Sequence, residues 1–172
     1  MEQLYAFFAP GQAAGAITPD RVQDALFTMQ GGWGRINLTA SAPTDITAVN
    51  TWVKAAGTTA LAAHSQQFTM PENGRLQCAC PIPSIMEIAA TGSIQGGNNK
   101  TLQVAFARNG VVMTETVTTI RLDSSGAAQE GVLIGDFAQE LNDYVEIWVR
   151  NTTDDTDVTV TALNMRARTY VI

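Results

Sequence analysis

Histidine is almost absent from this sequence, and its scarcity excludes more chemistry than any residue present suggests. The one histidine, His64, sits in Ala62-Ala63-His64-Ser65-Gln66-Gln67 with no acid beside it. A hydrolase or transferase needs a base, an acid or a nucleophile held together, and neither this segment nor a Gly-x-Ser-x-Gly elbow supplies one. An enzyme is not expected. Cysteine is as scarce: Cys78 and Cys80 stand two apart, a spacing that on a strand leaves about 6.5–7 Å between Cα atoms, too far for an unstrained bridge. They are expected as free thiols, and with one histidine they cannot complete the four-ligand set that zinc takes.

Basic residues are few, 10 Lys and Arg against 16 Asp and Glu, for a net charge of −6 and a pI near 4.6. No stripe is available to neutralise phosphates, so nucleic acid is not an expected partner. No apolar run approaches 18 residues, and no basic start precedes a shorter one, so neither a membrane span nor an export signal is expected, and a reducing cytoplasm is. Charged residues make up only 15% of the chain while threonine and glycine abound, a composition poor in the Lys, Glu and Leu of long helices. Asp154, Asp155 and Asp157 could offer oxygens to calcium, but the loop lacks the Gly and terminal Glu of an EF-hand and reads by default as a solvated turn. Gly96-Gly97 is followed by neither a helix nor a P-loop Gly-Lys-[Ser/Thr] sequence, so no phosphate cradle and no cofactor are expected.

What the sequence does have is alternation. From about residue 51 onward apolar residues recur with period two, broken every 8 to 12 residues by Gly, Asn, Asp or Pro, which predicts an all-β antiparallel sandwich. The clearest unit is Leu102 to Arg108, then Asn109-Gly110, then Val111 to Thr116, a hairpin across a type I′ turn. A two-residue loop pairs Arg108 with Val111, Phe106 with Met113 and Val104 with Glu115. One face then carries Val104, Phe106, Val111 and Met113 as core; the other carries Ala105, Ala107, Val112 and Thr114, small and uncharged, as a face covered by another chain would be. Met86, Ile88, Ala90 and Ile94 share a face of a strand from 85 to 94. In 143 to 151, Val145, Ile147 and Val149 point inward while Tyr144, Glu146, Trp148 and Arg150 point outward. The last run conflicts in phase: Val158, Val160 and Ala162 share one face, but Leu163, Met165 and Ala167 share the other. A bulge is predicted between Thr161 and Leu163.

The first 46 residues read as an arm. Leu4, Tyr5, Phe7 and Phe8 cluster near its start; Thr18-Pro19-Asp20 opens a short helix over about 19–30 that Gly31-Gly32 stops; Trp33 follows, then a polar linker to Asp45. Residues 47–172 form the predicted β domain.

Five phrases of that domain, 52–58, 68–76, Asn98-Asn99-Lys100, Arg108-Asn109-Gly110 and 141–151, occur in an order that resembles the tumour necrosis factor-like jelly-roll domains found in structural proteins of tailed bacteriophages. The resemblance covers residues 48–172 and is one of strand rhythm and turn sequence. It implies a two-sheet jelly roll, a homotrimer and a place in the virion, either as a capsid decoration (cement) protein or on the tail. The short chain and its apolar arm favour the head: Leu4, Tyr5, Phe7, Phe8 and Trp33 would dock on the major capsid protein, and Ala105, Ala107, Val112, Tyr144 and Trp148 would lie at the trimer interface. The alternative is a tail-associated or receptor-binding module, with Tyr144, Trp148, Glu146 and Arg150 as a carbohydrate platform.

Overall fold

A computed structural model describes residues 31–171; the 19–30 helix and the cluster Leu4, Tyr5, Phe7 and Phe8 lie outside the described residues. Among the described residues thirteen strands make two antiparallel sheets packed face to face. The first sheet runs β11 (Gln129–Gln139), β7 (Ser84–Gln95), β13 (Val158–Val171), β1 (Trp33–Ser41), β4 (Gly57–Leu61), with β2 (Pro43–Thr44) on β13. The second runs β10 (Thr118–Arg121), β8 (Thr101–Arg108), β12 (Tyr144–Asn151), β6 (Leu76–Cys78), β5 (Phe68–Thr69), with β3 (Val53–Lys54) on β12 and β9 (Val111–Val112) on β8. Neighbours in space are seldom neighbours in sequence. This is an all-β jelly-roll sandwich.

Alternation builds the core. Met86, Ile88, Ala90 and Ile94 from β7 face Val145, Ile147 and Val149 from β12, and Leu102, Val104 and Phe106 from β8 close the layer. The phase conflict in the last strand is resolved where the sequence demands it: the register of β13 against β7 slips between Val160 and Ala162. Val158 and Val160 point inward before the slip, and Met165 and Ala167 after it. The extra residue, Thr161, hydrogen-bonds Ser93 across the strands at 2.7 Å. Gly92 sits opposite, where a Cβ would strike the Ala162 carbonyl.

The Asn109-Gly110 turn has φ of 51° and 78°, both positive as a type I′ turn requires, and Arg108 pairs with Val111. Beyond Val112 the hairpin departs from expectation. Met113 leads into a 3-10 turn at Thr114–Thr116, so Val104 pairs with Thr118 instead of Glu115, and Phe106 meets Met113 only through one backbone hydrogen bond of 2.8 Å. The Thr116 hydroxyl caps this break, accepting from the Phe106 N–H at 3.0 Å. Val111 is consequently 71% exposed and lies outside the core.

The larger correction concerns residues 33–45. They are not a linker. Trp33–Ser41 is an interior strand of the first sheet, paired with β13 on one side and β4 on the other, and Pro43–Thr44 pairs with β13 as well. The β sandwich therefore includes residues 33–44, which the sequence reading had placed outside it. Its inward side was hard to read because Gly34 holds a core position whose space is filled from elsewhere: a Cβ there would meet Phe68 Cγ at 2.5 Å.

Candidate functional site

Two outward sheet faces are the candidate sites. On the second sheet, Ala105 and Ala107 have no exposed surface even in the single chain. Long side chains of neighbouring strands cover them: Trp148 lies beside Ala105, Glu146 beside Ala107, and Lys54 beside Trp148. The two alanines thus have no area left to lose to another protomer, contrary to their expected role. Val112, Tyr144 and Trp148 remain half-buried.

Glu146 organises this face. Its carboxylate is 2% exposed and accepts from Lys54 Nζ at 2.7 Å, Arg75 Nε at 3.0 Å and Trp148 Nε1 at 3.2 Å. Burial pushes its pKa up, but the Lys54 and Trp148 hydrogen bonds and the Lys54 charge outweigh that and hold it below the ordinary value. Arg75 also reaches Glu72 at 3.0 Å and stacks over the Tyr144 ring at 3.9 Å, while Arg150 stacks over Trp52 at 4.6 Å. Tyr144 and Trp52 each have a ring face occupied by an arginine of the same chain, and Glu146 has spent its acceptors internally. Of the set expected to serve as a carbohydrate platform, Glu146 is buried within these contacts, while Tyr144, Trp148 and Arg150 stay half-buried.

The other chemistry-bearing residues are similarly engaged. Asp154 is paired with Lys100, accepts from Asn151 Nδ2 at 2.9 Å, and has its pKa lowered to about 2, chiefly by the Lys100 bond. Asp157 accepts the Ile46 N–H at 3.2 Å. Among the described residues no three His, Cys, Asp or Glu side chains converge as metal ligands. His64 is exposed in the loop after β4. Cys78 and Cys80 are buried and free, and burial pushes the Cys78 thiol up to about 12. No described helix is long and apolar enough to cross a membrane.

The outward face of the first sheet is different. Val132 and Ile134 on β11 are 56% and 74% exposed, and Tyr170 on β13 is 46% exposed. Trp33, the one docking-arm residue within the described chain, sits half-buried on this face opposite Arg168. This face was not legible in the sequence, where Val132, Leu133 and Ile134 form an uninterrupted apolar run; only Leu133 of the three points inward. Gly131, Gly135 and Phe137 share the inward side of β11, and glycine at two of those positions hid the alternation.

Comparison with known proteins bears on the fold. No family model and no curated protein matches the sequence. Among solved structures, murine APRIL at pH 5.0 superposes with a TM-score of 0.54 at 8% identity, covering 79% of this chain and 98% of that one. Murine APRIL at pH 8.5 gives 0.51 at 8% identity over the same shares. The vertex protein P5 of PRD1 gives 0.49 at 12% identity, covering 81% of this chain and 96% of that one. The APRIL likeness shows that the chain shares a jelly-roll fold with that protein; at such identity it speaks to fold alone.

Proposed function

We propose that the chain is a structural protein of a virion, a homotrimeric capsid decoration (cement) protein whose first 30 residues dock on the major capsid protein. The observation that carries this reading is the kind of surface the fold builds. It has an open, partly apolar sheet face suited to another protein, while the aromatic and charged residues that would serve a small ligand are spent within the chain. The sequence phrases shared with phage jelly-roll domains point the same way. Decoration is mechanical: each arm adds modest net affinity, and many copies over a closed shell multiply it.

The arm is now shorter than the sequence implied, since Trp33 belongs to the sheet. Docking falls to Leu4, Tyr5, Phe7 and Phe8. In the full chain, Ala at all four positions is expected to leave the folded trimer intact and to abolish co-sedimentation with undecorated shells. Unchanged shell binding would refute docking by the arm. Specific retention on a glycan array would favour the receptor-binding alternative instead.

A further inference from the structure

The core has a dent on the inner side of the first sheet. Along β7 the inward positions run Met86, Ile88, Ala90, Gly92 and Ile94, so two small residues follow one another between larger ones. The residue facing Gly92 on β11 is Gly131, a third small inward position in the same patch. Neither glycine has room for a side chain as the backbone stands. A Cβ on Gly92 would lie 2.4 Å from the Ala162 carbonyl oxygen, at the bulge of β13, and one on Gly131 would lie 2.8 Å from Ile120 Cδ1. The bulge that reconciles the two phases of the last strand thus fixes a glycine in the core wall beside it.

The facing sheet does not fill the dent. Val104, Ile120 and Ile147 approach from that side, Ala90, Leu133 and Val160 from the other, and a cavity of about 40 Å³ remains among these six buried side chains. Its walls offer nothing to hydrogen-bond. The polar side chains around it are those of Thr91, Ser93 and Thr118. Thr91 is exposed on the outward face, the Ser93 hydroxyl is engaged with Thr161 at 2.7 Å, and the Thr118 hydroxyl donates to the Val132 carbonyl at 3.4 Å. A buried water takes about 10–15 Å³ and roughly two to four polar partners. Here the space is sufficient and the partners are missing, so the cavity stays dry.

We propose that this cavity binds a small apolar molecule of a few heavy atoms, a dissolved gas or a short hydrocarbon. Size sets the limit: a dry cavity of about 150 Å³ takes benzene, and about 40 Å³ is too little for a ring. A guest restores dispersion contacts that the lining atoms forfeit across a void. Binding the folded chain alone, it also stabilises the fold by mass action. Thr118 and Val132 mark the route of entry, since β10 and β11 are end strands of different sheets and no ladder closes the seam between them. The site is independent of the virion reading.

The test uses xenon as the probe and methyl-resolved NMR of the full chain, with helium as the pressure control. Shifts that saturate with xenon pressure are expected at the methyls of Ala90, Val104, Ile120, Leu133, Ile147 and Val160, with none under helium and a higher melting temperature under xenon. Ala90→Val, which fills the space, should abolish the saturable shifts; Val104→Ala, which widens it, should keep them. An unresponsive wild-type chain overturns the proposal, as do shifts that rise without saturating or that centre on outward residues such as Ile134. A folded Ala90→Val chain that responds like wild type overturns it as well. If Ala90→Val fails to fold, the other variant decides, because a folded Val104→Ala chain that loses the response is incompatible with binding in this cavity. Cross-relaxation from water to these methyls, the mark of a filled and wet cavity, also refutes it.

Discussion

Replacing Glu146 by Gln tests whether the network on the second sheet stabilises the fold or merely decorates it. The substitution keeps the size and one acceptor but removes the charge that Lys54 and Arg75 share, both of them at Oε1. Breaking a buried pair by removing one partner costs about 3–5 kcal/mol when the surviving charge is fully buried. Here the survivors are 30% and 21% exposed in their side chains, so water recovers part of that cost and about 2–3 kcal/mol is expected. For a domain of this size that is a fall of roughly 4–12 °C in melting temperature. The pH dependence adds a second readout. The folded-state pKa of Glu146 is depressed, so its contribution is fully present above the unfolded value and disappears as pH falls through the lower, folded value. Urea titrations from neutral pH downward should show wild type and Glu146→Gln converging as the carboxylate protonates. A variant as stable as wild type at neutral pH, or a stability gap independent of pH, would refute the reasoning.

Gly110→Val forces a β-branched residue to a φ near 78°, which should destabilise by more than about 1 kcal/mol in denaturant titration. Gly34→Val intrudes on the Phe68 ring and should cost about 1–3 kcal/mol by overpacking, with a matching loss in melting temperature. Cys78, buried with its thiol pushed up to about 12, should resist iodoacetamide at neutral pH until denaturant is added, as intact-mass spectrometry would reveal.

Strands whose inward positions are all sizeable apolar residues were legible from sequence. β7 and β12 read correctly residue by residue, and the bulge in β13 was visible because two runs of apolar residues in opposite phase cannot share one regular strand. Legibility failed where a core position is occupied by glycine and filled from a distant strand. Gly34 in β1 and Gly131 and Gly135 in β11 each leave room for a side chain from elsewhere: Phe68, Ile120 and Thr116 respectively. With those positions blank, β1 read as a linker and β11 showed no clear alternation. The faces of β8 and β12 were assigned correctly, but Val111 was placed in the core and the small residues were taken for a surface awaiting a partner. Pairing register shows what single-strand alternation cannot, that Glu146 and Trp148 of the next strand lie over them.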